Sequence, residues 1–301
     1  MTAAAGPARL RYPMRGHAAM LAFSALVAGS FSLGAMAAPF IDPAALNAVR
    51  FLVAACIVGA VALATTGLPR SAARAPWRYL VLGGLFAIYF VLMFEGLKTA
   101  DAVSTAAVFT LTPPMSALAG WILLRQITTG RIAVALAVGA TGALWVIFRA
   151  DPGALARFQI GRGEAIYFVG CVAHAIYTPM IARLNRGEPL VVFTFGILVA
   201  GFLILTAWGW PAIVATDWAA LPPIVWVTLA YVAVFASSMT FTLLQFAALH
   251  LPSSKVMAYT YLSPTWVIAW EAGLGHGVPP PLVLVGIGLT VLALILLLKD
   301  D

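Results

Sequence analysis

Ten apolar runs of membrane-crossing length follow one another along this chain, and that succession leaves few folds open. The runs cover 18–38, 44–66, 77–97, 101–124, 131–149, 162–182, 189–210, 222–246, 255–274 and 280–298. A run of about 17 to 25 apolar residues matches the hydrocarbon thickness of a bilayer when helical. The sequence therefore predicts an all-α integral membrane protein with ten transmembrane helices. With 63% hydrophobic and 9% charged residues, it lies far from a soluble domain, in which about 25% of residues are charged. The joints are short and hold most of the Arg, Pro and Gly, which leaves no room for an extramembrane domain.

An even number of spans puts both termini on one side. With the N terminus inside, the inner segments hold twelve cations: Arg9, Arg11, Arg15, Arg70, Arg74, Arg78, Arg125, Arg131, Arg183, Arg186, Lys255 and Lys299. The outer segments hold four, Lys98, Arg149, Arg157 and Arg162. This asymmetry predicts cytoplasmic termini. It also accounts for the net charge of +7 without a nucleic-acid partner. Basic residues at the N terminus are compatible with contact to anionic lipid in the same orientation. "AMAAP" at 35–39 imitates a signal-peptidase site, but the preceding run is too long for a signal-peptide core. Cys56 and Cys171 fall in unrelated spans and read as small packing residues, not as a disulfide or metal pair. No cofactor is implied.

The chain repeats itself. Shifted by 146 residues, the stretch from Gly16 overlies that from Arg162, Asp42-Pro43 falls on Glu188-Pro189, and "RFLVA" at 50 falls on "GILVA" at 196. Further on the offset becomes 151, and the "LTP" ending at Pro113 meets the "LSP" ending at Pro264. Two five-span halves result, 16–149 and 162–298. Because five is odd, the second half enters the membrane from the opposite face, and the halves form inverted repeats. Such a chain exchanges an inward-leaning and an outward-leaning half at little net cost, which is the basis of alternating access.

Pro113 and Pro114 lie mid-span in the fourth helix, Pro264 mid-span in the ninth. A proline inside a helix removes a donor and clashes with the preceding turn, costing about 3 kcal/mol. The freed carbonyls of Phe109, Thr110 and Thr260 are tolerated in hydrocarbon only where they face protein or water. Static kinks explain single prolines in membrane helices; a symmetry-matched pair points instead to hinges.

Four stretches carry a family resemblance: "DPAALNAVRFLVAA", "GLKTADAVSTAAVFTLTPPMSALAGWILL", "GEAIYFVGCVAHAIYTPMIARL" and "FAALHLPSSKVMAYTYLSPTWVIAWEAGLG". Together they resemble the EamA repeats of the drug/metabolite transporter superfamily over nearly the whole chain. The resemblance implies a ten-helix carrier of small metabolites with a central cavity, in the bacterial inner membrane often an amino-acid exporter, and within it the aromatic amino-acid exporter branch. Three departures stand out. Ala28 and His174 occupy the symmetry-related positions where the family usually has Trp. Gln126 replaces the usual Glu at the end of the fourth span. His276 is its counterpart after the ninth.

Arg50 is the only cation read inside a span. It either receives a substrate carboxylate through its planar fork or serves as a structural anchor, pairing with Glu95 or reaching outward; the anchor is favoured because the resembling families carry Arg here whatever their cargo. His174 is either a packing residue or part of the cavity lining. Tyr89, Tyr177 and Tyr259 are deep enough to stack on an amphipathic or aromatic cargo, and Ser30 and Ser237 add hydroxyls at similar depth. Glu271 reads as an interfacial or salt-bridge residue and not as a coupling site.

The expected function is export of small metabolites, aromatic or other neutral amino acids above all, and facilitated since no mid-depth carboxylates are seen. The alternatives are a proton-coupled exporter of organic cations or drugs and, from another class, an intramembrane enzyme. The last finds no H-E-x-x-H pair or paired intramembrane aspartates; only the depths of His174 and Ser237 leave a dyad open. No catalytic or metal site is assigned. The partners expected are a small-molecule substrate and lipid, with a monomer compatible and the oligomeric state open.

Overall fold

The computed structural model describes residues 13–157 and 159–298. Arg9, Arg11 and Lys299, used above for orientation, lie outside the described residues. Among those residues the regular structure is helical, without strands. The membrane segments are α1 Pro13–Ala37, α2 Pro43–Thr65, α3 Trp77–Gly96, α4 in two pieces (Ala102–Phe109 and Thr112–Leu124) and α5 Gly130–Ile147. They continue as α6 Arg162–Leu184, α7 Leu190–Ala215, α8 (Pro223–Ala233, a π-helical stretch Val234–Met239, Thr240–Ala248), α9 (Ser253–Ala258, a 3₁₀ turn Tyr259–Leu262, Ser263–Gly273) and α10 Pro281–Leu298. Among the described residues nine helices are long and apolar enough to cross a membrane, α4 and α8 each counting as one. The expected tenth span, α9, is divided so that no single piece has that length.

Local chemistry sets the ends. Asp42 accepts from Ala44 N at 2.8 Å with Pro43 in the first turn of α2. Asp101 accepts from Ser104 N at 2.7 Å to start α4. Thr129 caps α5. Such side chains satisfy amides that have no partner within the helix. Arg125 ends α4 in the left-handed conformation at φ 54°.

Both predicted breaks are present. α4 stops at Phe109 and resumes at Thr112, immediately before Pro113-Pro114, and α9 tightens to a 3₁₀ turn immediately before Ser263-Pro264. Phe109 O, one of the carbonyls freed by the prolines, accepts from Thr112 Oγ1 at 2.7 Å. The sequence did not announce the third irregularity, the π-helical stretch in α8.

α2 lies along α7, α5 along α10, and α4 against α9, each half of α4 meeting the half of α9 at the same end. α3 packs on α6 and α7, while α8 packs on α1 and α2. In lipid, helix association depends on close packing because the tails are as apolar as the side chains. Glycines supply the close approach: a Cβ on Gly83 would lie 2.6 Å from Gly201 N, and one on Gly142 2.5 Å from Gly286 O.

Arg50 is not the only cation within a helix. Arg78 sits in the first turn of α3, 1% exposed, and Lys255 lies in the first piece of α9. Arg78 escapes a reading by apolar runs because it stands at the edge of one. Its guanidinium donates to Leu184 O at 2.7 Å and to Glu188 Oε1 at 2.5 Å. This ties the start of α3 to the α6–α7 joint.

Candidate functional site

His174 stands at the centre of a buried aromatic group. Its ring centroid lies 4.5 Å from that of Tyr89, 5.3 Å from Phe109, 5.4 Å from Phe86 and 6.2 Å from Tyr177. Phe86 stacks on Tyr177 with centroids 3.7 Å apart. His174 is 2% exposed, and its Nδ1 has no hydrogen-bond partner among the described residues. A buried polar atom without a partner costs about 1–3 kcal/mol, so the nitrogen is a burden on the packed state. In this conformation the rings fill the centre, where the sequence had suggested a chamber between the halves.

The hydroxyls around this group are committed. Tyr89 and Tyr167 share a hydrogen bond at 2.9 Å, and Gln245 Nε2 donates to Tyr177 at 3.4 Å. Phe109, which ends the first piece of α4, is also a wall of the His174 cage. The break in α4 and the cage thus share a residue. Across from it, the Oγ1 atoms of Thr112 and Thr260 lie 3.2 Å apart, so the interruptions of α4 and α9 touch.

Arg50 sits beside the cage over the ring of Phe90, its Cζ 3.6 Å from the centroid. Nε donates to Ser237 Oγ at 2.6 Å, Nη2 to Ala236 O at 2.7 Å and Nη1 to Asn47 Oδ1 at 3.4 Å. Both close acceptors belong to the π-helical stretch of α8. The geometry is that of an anchor between α2 and α8. Glu95 does not pair with it: that carboxylate accepts from Lys98 at 2.7 Å.

Of the residues singled out in the sequence, the structure gathers His174, Tyr177 and Tyr89, with Arg50 and Ser237 alongside. Pro113, Pro114 and Pro264 fall at the breaks. Ser30 is buried with its Oγ unpartnered, next to Phe31, whose ring meets those of Phe109 and Tyr167. Tyr259 is not part of the cage; its hydroxyl lies 3.1 Å from His17 Nδ1 on α1. Ser237 Oγ accepts from Arg50, and no hydrogen bond joins it to His174 Nδ1 in this structure. Sequence reasoning missed Phe86, Phe109 and Tyr167, aromatic residues in apolar runs that carry no signal of which face they occupy.

These features define a polytopic α-helical membrane protein with two interrupted helices abutting a buried aromatic centre, the build of a membrane transporter. The sequence pattern of the EamA-like transporter family matches the chain twice, over residues 14–148 and 161–299. The uncharacterized transporter YyaM of Bacillus subtilis (strain 168) is 26% identical over 262 residues, 84% of this chain and 85% of its own. A solved crystal structure superposes over 96% of this chain and 97% of that one with TM-score 0.72 at 19% identity, which shows the fold. The chain belongs to the EamA-like transporter family.

Proposed function

We propose that this chain exports small zwitterionic metabolites, neutral and especially aromatic amino acids, by alternating access across the bacterial inner membrane, with both termini cytoplasmic. The two halves, 16–149 and 162–298, act as inverted repeats. Exchanged packing supports this, since α3 lies on α6 and α7 as α8 lies on α1 and α2. The single observation that carries the reading is the bare Nδ1 of His174 inside an aromatic cage that shares Phe109 with the break in α4. A cargo ring that enters between Phe86, Tyr89 and Tyr177 brings His174 a partner, and the repacking moves the hinge. The cage holds no carboxylate, which fits facilitated transport without strong ion coupling.

A second reading, a proton-coupled exporter of organic cations, draws on Glu164. This carboxylate is 4% exposed and accepts from Ser104 Oγ at 2.7 Å. One experiment separates the two. Purified protein in liposomes is assayed for uptake of radiolabelled amino acids and quaternary cations, with and without an imposed pH gradient. Saturable amino-acid uptake without the gradient is expected; cation uptake that needs the gradient overturns the proposal in favour of the second reading.

A further inference from the structure

The two interrupted helices are joined differently at their two ends. At one end Gln126, just past α4, accepts from Ser253 N, the first amide of α9, at 3.2 Å. At the offset of 151, Gln126 falls on Gly277, next to His276 just past α9, and Ser253 falls on Ala102, the first residue of α4. That matching contact is replaced. His276 Nδ1 lies 2.8 Å from Glu271 Oε2, and Asp101 caps its own helix through Ser104 N. Between them stands a cleft of about 290 Å³.

The cleft carries charges of both signs. Asp101 and Arg149 line the wall formed by α4 and α5; Glu271 and His276 line the wall formed by α9 and the loop before α10. Arg149 Nη2 forms an ion pair with Asp101 Oδ2 at 3.6 Å, longer than the 2.7–2.9 Å of a charge-assisted hydrogen bond, so the fork keeps donors for a second carboxylate. Glu271 has an exchangeable partner in His276. With Asp101 beside Arg149 on one wall, the Arg149 guanidinium and the Glu271 carboxylate on the opposite wall suit a single small molecule bearing both an anionic and a cationic group.

We propose that this cleft is a second binding site, separate from the His174 cage, where a zwitterion docks with its carboxylate on Arg149 and its ammonium on Glu271. It rests on the reading that α4 and α9 line the transport route. The sealed contact at Gln126 and the open cleft at His276 make it the accessible end of that route in this conformation, the outer end in the proposed orientation.

The test uses impermeant thiol labelling of Val278→Cys in liposomes. Val278 lines the cleft and is 70% exposed; Cys56, the exposed native cysteine, is replaced by Ala. L-phenylalanine is expected to slow labelling, while phenethylamine and phenylacetate, which each lack one charge, do not. Glu271→Gln and Arg149→Gln should each raise the half-protecting concentration about fivefold, the most that one exposed ion pair supplies. Both variants change solvent-accessible side chains, and their elution as folded protein is checked by size exclusion. If labelling is unaffected at concentrations that saturate uptake, or protection is unchanged in both variants, the site is refuted while the transport reading stands. If no amino acid is taken up by the unmodified protein, the transport reading itself has failed.

Discussion

The hydroxyl oxygens of Thr112 and Thr260 lie 3.2 Å apart, fully buried, where the restart of α4 meets the 3₁₀ turn of α9. Each also lies within hydrogen-bonding distance of a carbonyl in its own segment, Thr112 of Phe109 O at 2.7 Å and Thr260 of Met257 O at 2.8 Å. Each hydroxyl has one proton, so two protons serve three contacts: one threonine donates to the other only by releasing its own carbonyl, and the four groups form one small network. Thr112→Val leaves the Phe109 carbonyl bare and should lower stability by about 1–3 kcal/mol. Thr112→Ser should restore most of it. Thermal unfolding in detergent measures both, and equal melting temperatures for Val and Ser would show that the network carries no weight.

Adjacent glycines in α3 give an internal control. Gly83→Ala would place a methyl 2.6 Å from the Gly201 amide and 2.9 Å from Ile197 O, both backbone atoms. It should destabilise by about 1–3 kcal/mol as α3 and α7 are forced apart. Gly84→Ala meets only Ile204 Cδ1 at 3.6 Å and should be neutral or slightly stabilising, since alanine favours a helix over glycine. Detergent-resistant folded yield of the two variants, side by side, decides the point.

His174→Phe keeps an aromatic ring and removes the nitrogen that has no partner. The expected outcome is opposite in sign for two readouts: a rise in melting temperature, from relief of a burden of about 1–3 kcal/mol, together with loss of amino-acid uptake. Should uptake survive unchanged, His174 is a packing residue and nothing more.

The Arg78–Glu188 link predicts a response to acid. Burial alone would raise the Glu188 carboxyl, but the hydrogen bond from Arg78, the Arg186 amide and the Arg78 charge outweigh it and hold the group below its ordinary 4.5. A carboxyl depressed in the folded state stabilises above its unfolded value, and that stabilisation is lost as pH falls through the folded value. Melting temperature should therefore drop below about pH 4.5 in the native protein. In Glu188→Gln it should be lower at neutral pH and lose that part of its slope.

The sequence was informative where the physics is local and one-dimensional. Hydrophobic runs locate the helices to within a few residues, Asp42-Pro43 marks the start of α2, and the prolines place both interruptions. It was uninformative where three dimensions decide. Tyr259 lies as deep along its span as Tyr177, yet it turns to His17 on α1, because depth along a helix says nothing about which face a residue takes. Phe86 and Phe109 look like any phenylalanine in lipid until α3, α4 and α6 converge. Arg50 was legible as a buried cation needing partners, but its acceptors were not: Ala236 O and Ser237 Oγ are presented by an irregularity with no proline or glycine to announce it.

That irregularity in α8 has a geometric outcome. A π turn holds one residue more than an α turn, so everything after it is rotated by about 100° relative to an uninterrupted helix. Without the additional residue, Gln245 would swing away from Tyr177 and Thr194, which it now contacts. Residues 223–233 and 240–248 are thus phased separately, the first packing on α1 and α2 and the second on α1, α6 and α7, with the Arg50 guanidinium clasping the seam between them.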